Sequence, residues 1–530
     1  MTLHHDRFCS NIKFSLLFVV LDFNDRAKKS VIKLMSNNKQ NIICYAIHRT
    51  STPTMETLAR AIKKQGIYEP TLILSGDFLG NPDLYKKENI NYISLNNNTY
   101  INSNLDNTKP SDNNNTVKVP QPLFGRFKAI VMNILTYSYR VVAKLFEFLE
   151  KASKQKIMTF SMYHLMRGLF SFIYLKVYSL KINKLLDTIK PKAVYIYRDT
   201  LGGSFAYFAS ECKKRNIKII LVMAAYFHPD TTAFGRYENF ALRADSWLRS
   251  PWINYLIKKY LPNQYYHYKG VAVQYLFAYE LIALFMAKCL APYPWVNGKN
   301  FADTVCVFDS KLQKDYQALG IAKENIKVVG HIDCDLIHLN LKNKSKAQFF
   351  KELDFDPNKK CLVLALPQIK EHDIVESWEE HWVEIEFLVK HMTNTGHNVL
   401  LAMHPKMDLK RYEFLENKYT CKIYRGKTAD TIGYADVMVT AGSSTSLWAV
   451  QSGVVVINLG FYGWSIEQFS FCNSIKNIYD RNDWPAIIEK TVNDNEYFLE
   501  RKTLVEFDQK QYFLPLDGKN MQRHLELIES

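Results

Sequence analysis

At 530 residues, with 47% apolar and 14% aromatic side chains, the chain can bury two sizeable cores, which excludes a disordered or fibrous protein. Nine scattered cysteines include no Cys-x-x-Cys pair, so neither a zinc site nor a disulfide framework is indicated and a reducing compartment fits. The net charge of +16 comes with no recognition motif for nucleic acid, and it is uneven: residues 121–190 hold twelve Lys/Arg against three Asp/Glu.

The apolar run 14–21 is short and followed at once by Asp22 and Asp25, which fits a first β-strand better than a signal peptide. Further strands are expected at 41–47, 71–74 and 92–93, with helices at 28–37 and 55–64. Residues 95–119 are rich in Asn, Asp, Ser, Thr and Lys without apolar periodicity and read as a flexible loop. Residues 123–187 read as mainly helical, with Arg126, Lys128, Arg140, Lys144 and Lys151 between apolar positions. This basic segment suits packing on the first sheet, an anionic membrane surface, or both at once.

Strand–helix–strand rhythm returns at 193–197, 204–213 and 217–223. Residues 231–298 read as an aromatic-rich, largely helical insertion or the end of the first domain. Its longest apolar stretch, 271–292, contains Gln274, Glu280 and Lys288, a pattern for a buried or interfacial helix rather than a membrane span. A second domain is expected from about residue 301, with strands at 305–308, 326–329, 361–366, 399–403, 422–424, 437–440 and 454–459. The organisation expected is therefore a first α/β domain over 1–300, a second over 301–480 and a helical tail over 481–530.

The most informative stretch is 398–458. One apolar run ends at His404-Pro405-Lys406, and the next ends at Gly442, after which Ser443, Ser444, Thr445 and Ser446 open a helix. Ligands of parallel sheets sit beyond the carboxyl ends of the strands. A Gly-Ser-Ser-Thr turn there offers N–H groups and hydroxyls suited to a phosphate, though it also serves as an ordinary helix cap.

These elements carry a resemblance. Strand–His-Pro, then strand–Gly-Ser-Ser–helix–Gly–strand, preceded by Lys-Val-Val-Gly-His-Ile-Asp-Cys-Asp-Leu (327–336) and Leu-Ala-Leu-Pro-Gln (364–368), resembles the GT-B glycosyltransferases that build bacterial surface polysaccharides. The His-Pro and Ser-Ser pairs are similar to motifs of CMP-sugar users, the sialyl- and Kdo transferases. CDP-glycerol polymerases and non-hydrolysing UDP-GlcNAc 2-epimerases share the same plan. The resemblance implies two Rossmann-like domains facing each other across a cleft, with a helical insertion in the N-terminal half and the acceptor on the N-terminal side. It implies transfer of a sugar from a nucleotide donor, CMP-linked before UDP-linked, to a growing surface glycan or a lipid-linked one. The reaction would be inverting and metal-independent, and would need no cofactor. The place implied is the cytoplasm, peripheral to the inner-membrane surface.

Carried over residue by residue, His404 contacts the donor phosphate or ribose, with Pro405 and Lys406 beside it. Gly442, Ser443, Ser444 and Thr445 hold the phosphate, and Gln368, Glu371 and His372 line the nucleotide side. Gly330 and His331 allow close backbone approach. The acceptor's proton calls for a base: Asp199, at a strand end before Leu201-Gly202-Gly203, comes first, then Asp77, then Asp230 or His228. The Asp-Ser-Gly-Gly-x-x-Glu-Glu pattern of the epimerases is replaced by residues 441–446 with no carboxylate beside them, and the acidic sialyltransferase motif is missing. Asp333-Cys334-Asp335 has metal-motif spacing but reads as the opening of a helix. An epimerase, a glycerophosphotransferase and a non-catalytic glycan-assembly component stand as the alternatives.

Overall fold

The computed structural model describes residues 39–47, 51–75, 81–94, 99–101, 156–200, 202–223, 228–246, 251–372, 374–404, 407–463 and 469–530. The strand and helix expected at 14–21 and 28–37, and most of the loop expected at 95–119, lie outside these residues, as do 123–155. Two compact units emerge, one of Met1–Val222 with Phe227–Thr304, the other of Met223–Tyr226 with Val305–Ser530.

The first sheet contains β1 (Asn41–Ala46), β2 (Glu69–Leu74), β3 (Asn91–Ser94), β4 (Thr99–Ile101), β5 (Ala193–Ile196), β6 (Lys218–Val222), β9 (Thr304–Val307) and β10 (Ile326–Val328), in the order β10-β9-β6-β5-β1-β2-β3-β4. β1 pairs in parallel with β2 and β5, and β4 closes the edge antiparallel to β3. The strand at Thr99–Ile101 corrects the reading of 95–119 as structureless. β9 pairs in parallel with β10, and from Val305 onward the chain belongs to the second compact unit. The helices of this part of the chain are α1 (Thr52–Gln65), α2 (Pro82–Lys87), α3 (Lys156–Ile189), α4 (Gly203–Lys214), α5 (Pro229–Tyr237), α6 (Pro251–Tyr260) and α7 (Ala278–Met286). Between α6 and α7, β7 (Tyr265–Tyr268) and β8 (Val271–Gln274) form an antiparallel hairpin. Lys269 and Gly270 turn it with φ of 48° and 76°, the left-handed pair that a two-residue hairpin loop requires.

The second sheet holds β11 (Cys361–Ala365), β12 (Asn398–Ala402), β13 (Lys422–Tyr424), β14 (Val437–Thr440), β15 (Val455–Leu459) and β16 (Ile475–Ile478). Every pair is parallel and the order is β13-β12-β11-β14-β15-β16, the 3-2-1-4-5-6 arrangement of dinucleotide-binding folds. Helices α8 (Ser310–Ala318), α9 (Ile332–Asn343), α10 (Lys346–Glu352), α11 (Trp378–Asn394), α12 (Phe414–Lys418), α13 (Ala429–Ile432), α14 (Thr445–Gln451), α15 (Trp484–Asn493), α16 (Asn495–Tyr512) and α17 (Asn520–Glu526) belong with it. Alternate residues of each strand face opposite layers. Leu362, Leu364, Val399, Leu401, Val437 and Val439 pack with Ile385 and Leu388 of α11 and Trp484 of α15. Val363, Leu400, Met438 and Val456 pack with Phe349 and Phe350 of α10 and Leu447 of α14. Burial on both faces explains why these strands are continuous apolar runs rather than alternating ones.

His381, on α11, is fully buried and its Nε2 lies 2.9 Å from the Tyr412 hydroxyl. Burial pushes its pKa down to about 4. The folded imidazole therefore stays neutral while the unfolded one takes up a proton below its ordinary 6.5. Stability is complete above about pH 6.5 and should fall towards pH 4, by up to about 3 kcal/mol from this ring. Thermal midpoints between pH 7.5 and 4.5 check this: His381→Phe should show a flatter pH dependence than wild type, even if it is less stable at pH 7.5.

Candidate functional site

The order of the second sheet reverses between β11 and β14, because the chain winds outward from β11 in one direction through β12 and from β14 in the other through β15. Loops leaving the carboxyl ends of those two strands part there, and that crevice is where open α/β sheets take ligands. Register fixes what meets at it. Ala365 pairs with Ala402, and Leu364 with Val439, so β12, β11 and β14 end nearly level. The Leu366 N–H continues the ladder to the Ala402 carbonyl at 3.0 Å. With strands about 4.8 Å apart, the loops bearing His404, Gln368 and Ser443 start within about 10 Å of one another.

Gln368 is 8% exposed, and its Nε2 is buried with no hydrogen-bond partner among the described residues. An amide in that position costs folding free energy unless something accepts from it, about 1–3 kcal/mol per orphaned group. Gly442, with φ of 64°, turns the chain out of β14, and its N–H donates to Asn458 Oδ1 at 2.8 Å. Asn458 is itself fully buried on β15 and donates through Nδ2 to Asn477 Oδ1 at 2.9 Å. Ser443 Oγ accepts the Thr445 N–H at 3.3 Å and lies 2.9 Å from Thr445 Oγ1. Ser446 is drawn inward to Thr440 Oγ1 at 2.7 Å. What remains are the N–H groups of Ser443 and Ser444 and the Ser444 hydroxyl, which meet no acceptor among the described residues. The turn is thus held rigid by Asn458 and Thr440 while its next donors are left for another group. Asn458 is the residue sequence reasoning missed; a lone polar side chain in the run 454–459 was the available signal.

Other expected residues fall elsewhere. His404 is half-buried just past β12, and its carbonyl accepts the Met407 N–H at 2.9 Å. Pro405, Lys406 and Asp77 lie outside the described residues. Glu371 and His372 are exposed, on the turn that the His372 N–H closes onto the Gln368 carbonyl. Gly330 and His331 follow β10, not a strand of the second sheet. A Cβ on Gly330 would lie 2.3 Å from Asn520 Oδ1, so the close approach that this glycine permits is to α17. His331 is buried between Phe308 and Trp448, with ring centroids at 4.8 and 4.3 Å, and caps α9 by accepting the Asp333 N–H at 3.2 Å. Asp335 accepts the N–H groups of Asn520 and Met521, as a cap for α17.

In the first unit, Asp199 is fully buried. Its Oδ1 accepts from Gly298 N at 2.7 Å and Asn300 Nδ2 at 3.3 Å, and its Oδ2 from the N–H groups of Asn300, Phe301 and Ala302 at 2.9, 3.0 and 3.4 Å. Its own N–H donates to Asn297 Oδ1 at 3.0 Å. A carboxylate so surrounded organises the 297–302 loop and has no lone pair directed at a substrate. His228 and Asp230 differ: both side chains are more than a third exposed. His228 Nδ1 stands 3.3 Å from both the Asp230 N–H and Oδ2, while Asp230 Oδ1 accepts the Tyr266 hydroxyl at 2.6 Å. The first contact caps α5. The second sets the Asp230 carboxylate beside the ring.

No protein-family model and no curated protein matches the chain. Similar solved structures include a UDP-GlcNAc 2-epimerase from Neisseria meningitidis bound to UDP-GlcNAc, at 8% identity over 92% of this chain and 100% of that one, with a TM-score of 0.47. CalG4, the calicheamicin glycosyltransferase, is 11% identical over 93% and 98% of the two chains, with a TM-score of 0.49. A glycosyltransferase from Rickettsia africae ESF-5 is 11% identical over 93% and 98%, with a TM-score of 0.41. With each TM-score below 0.5, the likeness assigns no activity to this chain. What its own strand order shows is a pair of Rossmann-like α/β sheets, the architecture on which GT-B enzymes are built.

Proposed function

We propose that the chain is a glycosyltransferase that uses a nucleotide-activated sugar, with the donor's phosphate held at the β11–β14 crevice. The observation that carries this reading is the set of donors there that meet no partner among the described residues: the buried Gln368 amide, the N–H groups of Ser443 and Ser444, and the Ser444 hydroxyl. In transfer, the acceptor hydroxyl forms a bond to the sugar's anomeric carbon as the bond to the phosphate oxygen breaks. The electron pair leaves with the nucleotide. Fixed donors aimed at that phosphate stabilise the charge as it grows, at no cost of reorganisation. We assign a further contact on the nucleotide side to His404, at the end of the adjacent β12.

The acceptor's proton needs a base. Of the candidates, the exposed His228–Asp230 pair fits that chemistry and the saturated Asp199 does not. We take the acceptor to be a growing surface glycan, free or lipid-linked, and the donor to be CMP-linked in preference to UDP-linked.

Nucleotide release from candidate donors, measured with and without glycan acceptor, tests the reading. Release that requires acceptor, and that falls about 100-fold or more in His228→Ala while nucleotide affinity stays within about threefold, is the expected result. Conversion of the free sugar nucleotide to its epimer without any acceptor would replace transfer with epimerisation.

A further inference from the structure

In unit 1, helices α3, α6 and α7 pack side by side. A Cβ on Gly168 of α3 would lie 3.1 Å from Ile282 Cγ2 of α7, and the Arg167 guanidinium sits 4.1 Å from the Tyr279 ring centroid. Ile253 and Ile257 of α6 share a core with Ala278 and Leu281 of α7. The inward faces are thus accounted for. The outward ones are not polar. Leu165, Leu169, Ile173 and Leu180, spaced four, four and seven apart, form one exposed stripe along α3. On the two helices packed against α3, Phe285 of α7 is 60% exposed, and Trp252, Tyr255 and Tyr260 of α6 are 64, 58 and 64% exposed. Single exposed apolar residues need no explanation, but a cluster on three adjacent helices does.

Charge indicates what covers this face. Helices α3, α6 and α7 carry seven Lys/Arg and two acidic residues. Of these, Asp187 pairs with Arg215, and Glu280 is turned back to accept the Phe277 N–H. Lys259 lies beside the rings of both Tyr255 and Tyr260, with Nζ 5.9 and 5.4 Å from their centroids. Self-association through this face about a two-fold axis would set lysines against lysines. An anionic bilayer meets both demands: apolar side chains enter the acyl boundary, Trp and Tyr rest at headgroup level, and lysines face the phosphates. No helix among the described residues is long and apolar enough to cross a membrane, so the contact is with its surface.

We propose that the α3–α6–α7 face docks on an anionic lipid bilayer, entered by Trp252, Tyr255 and Phe285 and held by Lys258 and Lys259. It stands independently of the sugar-transfer reading.

Flotation of the full chain with vesicles of phosphatidylcholine, alone or mixed about 2:1 with phosphatidylglycerol, tests it. The anionic vesicles should bind at least about tenfold more tightly than the neutral ones. Lys258→Glu/Lys259→Glu and Trp252→Ala/Phe285→Ala should each lose about tenfold or more on the anionic vesicles, with wild-type thermal midpoints showing that they fold. Equal binding to both vesicles would overturn the proposal, as would wild-type binding by both variants. So would binding that vanishes only on charge reversal of residues 126–156, or a dimer in solution that Trp252→Ala dissociates.

Discussion

Asp199→Asn should destabilise unit 1 by about 3–5 kcal/mol, because one carboxylate oxygen becomes an NH2 group directed at N–H donors that no longer find an acceptor. In a unit of this size the thermal midpoint should drop by about 10 °C. Amide exchange at Gly298, Asn300, Phe301 and Ala302 should speed up before that of β1 and β5. Any loss of turnover should follow the loss of folded protein. A variant as stable as wild type yet inactive in transfer would instead return Asp199 to the role of base.

The largest effect on binding is expected from Ser444→Asp. Ser444 is half-buried, and its hydroxyl has no partner among the described residues, so a carboxylate there disturbs little within the fold. It would, however, place negative charge at the donors proposed for a phosphate. Nucleotide affinity should fall about 100-fold, or about 2.7 kcal/mol, with a thermal midpoint within about 2 °C of wild type. Ser444→Ala, which removes the hydroxyl but leaves the N–H, should cost less than about tenfold. Matching losses of stability and affinity in Ser444→Asp would mean that the turn is a structural cap.

The second sheet was legible because both of its faces are covered. Runs such as 361–366 and 437–440 are apolar without alternation and are broken by Pro367 or Gly442, so strand ends and their loops could be placed to within a residue or two. The position of the crevice was not legible, since strand order is set by pairing between segments far apart in the chain. The β7–β8 hairpin was lost inside an aromatic-rich stretch, although Lys269-Gly270 marked its turn.

Single residues were misread where their partners are distant in sequence. Gly330 suggested room for a ligand, but the group that occupies that room is Asn520. Asp199 drew attention through the glycines that follow it, whereas the loop that saturates it begins about a hundred residues later. Gln368 was placed in the site from a strand-end motif alone. Its orphaned amide, the strongest sign of a ligand, is visible only once burial is known.

The central claim is that Gln368 and the Ser443–Ser444 turn hold a nucleotide's phosphate. Calorimetric titration of CMP, CDP, UDP and GDP into wild type, Gln368→Ala and Ser444→Asp tests it most directly. At least one nucleotide should bind the wild type, and both variants should weaken that binding by about tenfold or more. Selective binding of CMP would favour a sialyl- or Kdo-type donor, and selective binding of UDP a hexose donor. Failure of all four to bind, or binding that both variants leave unchanged, would contradict the account.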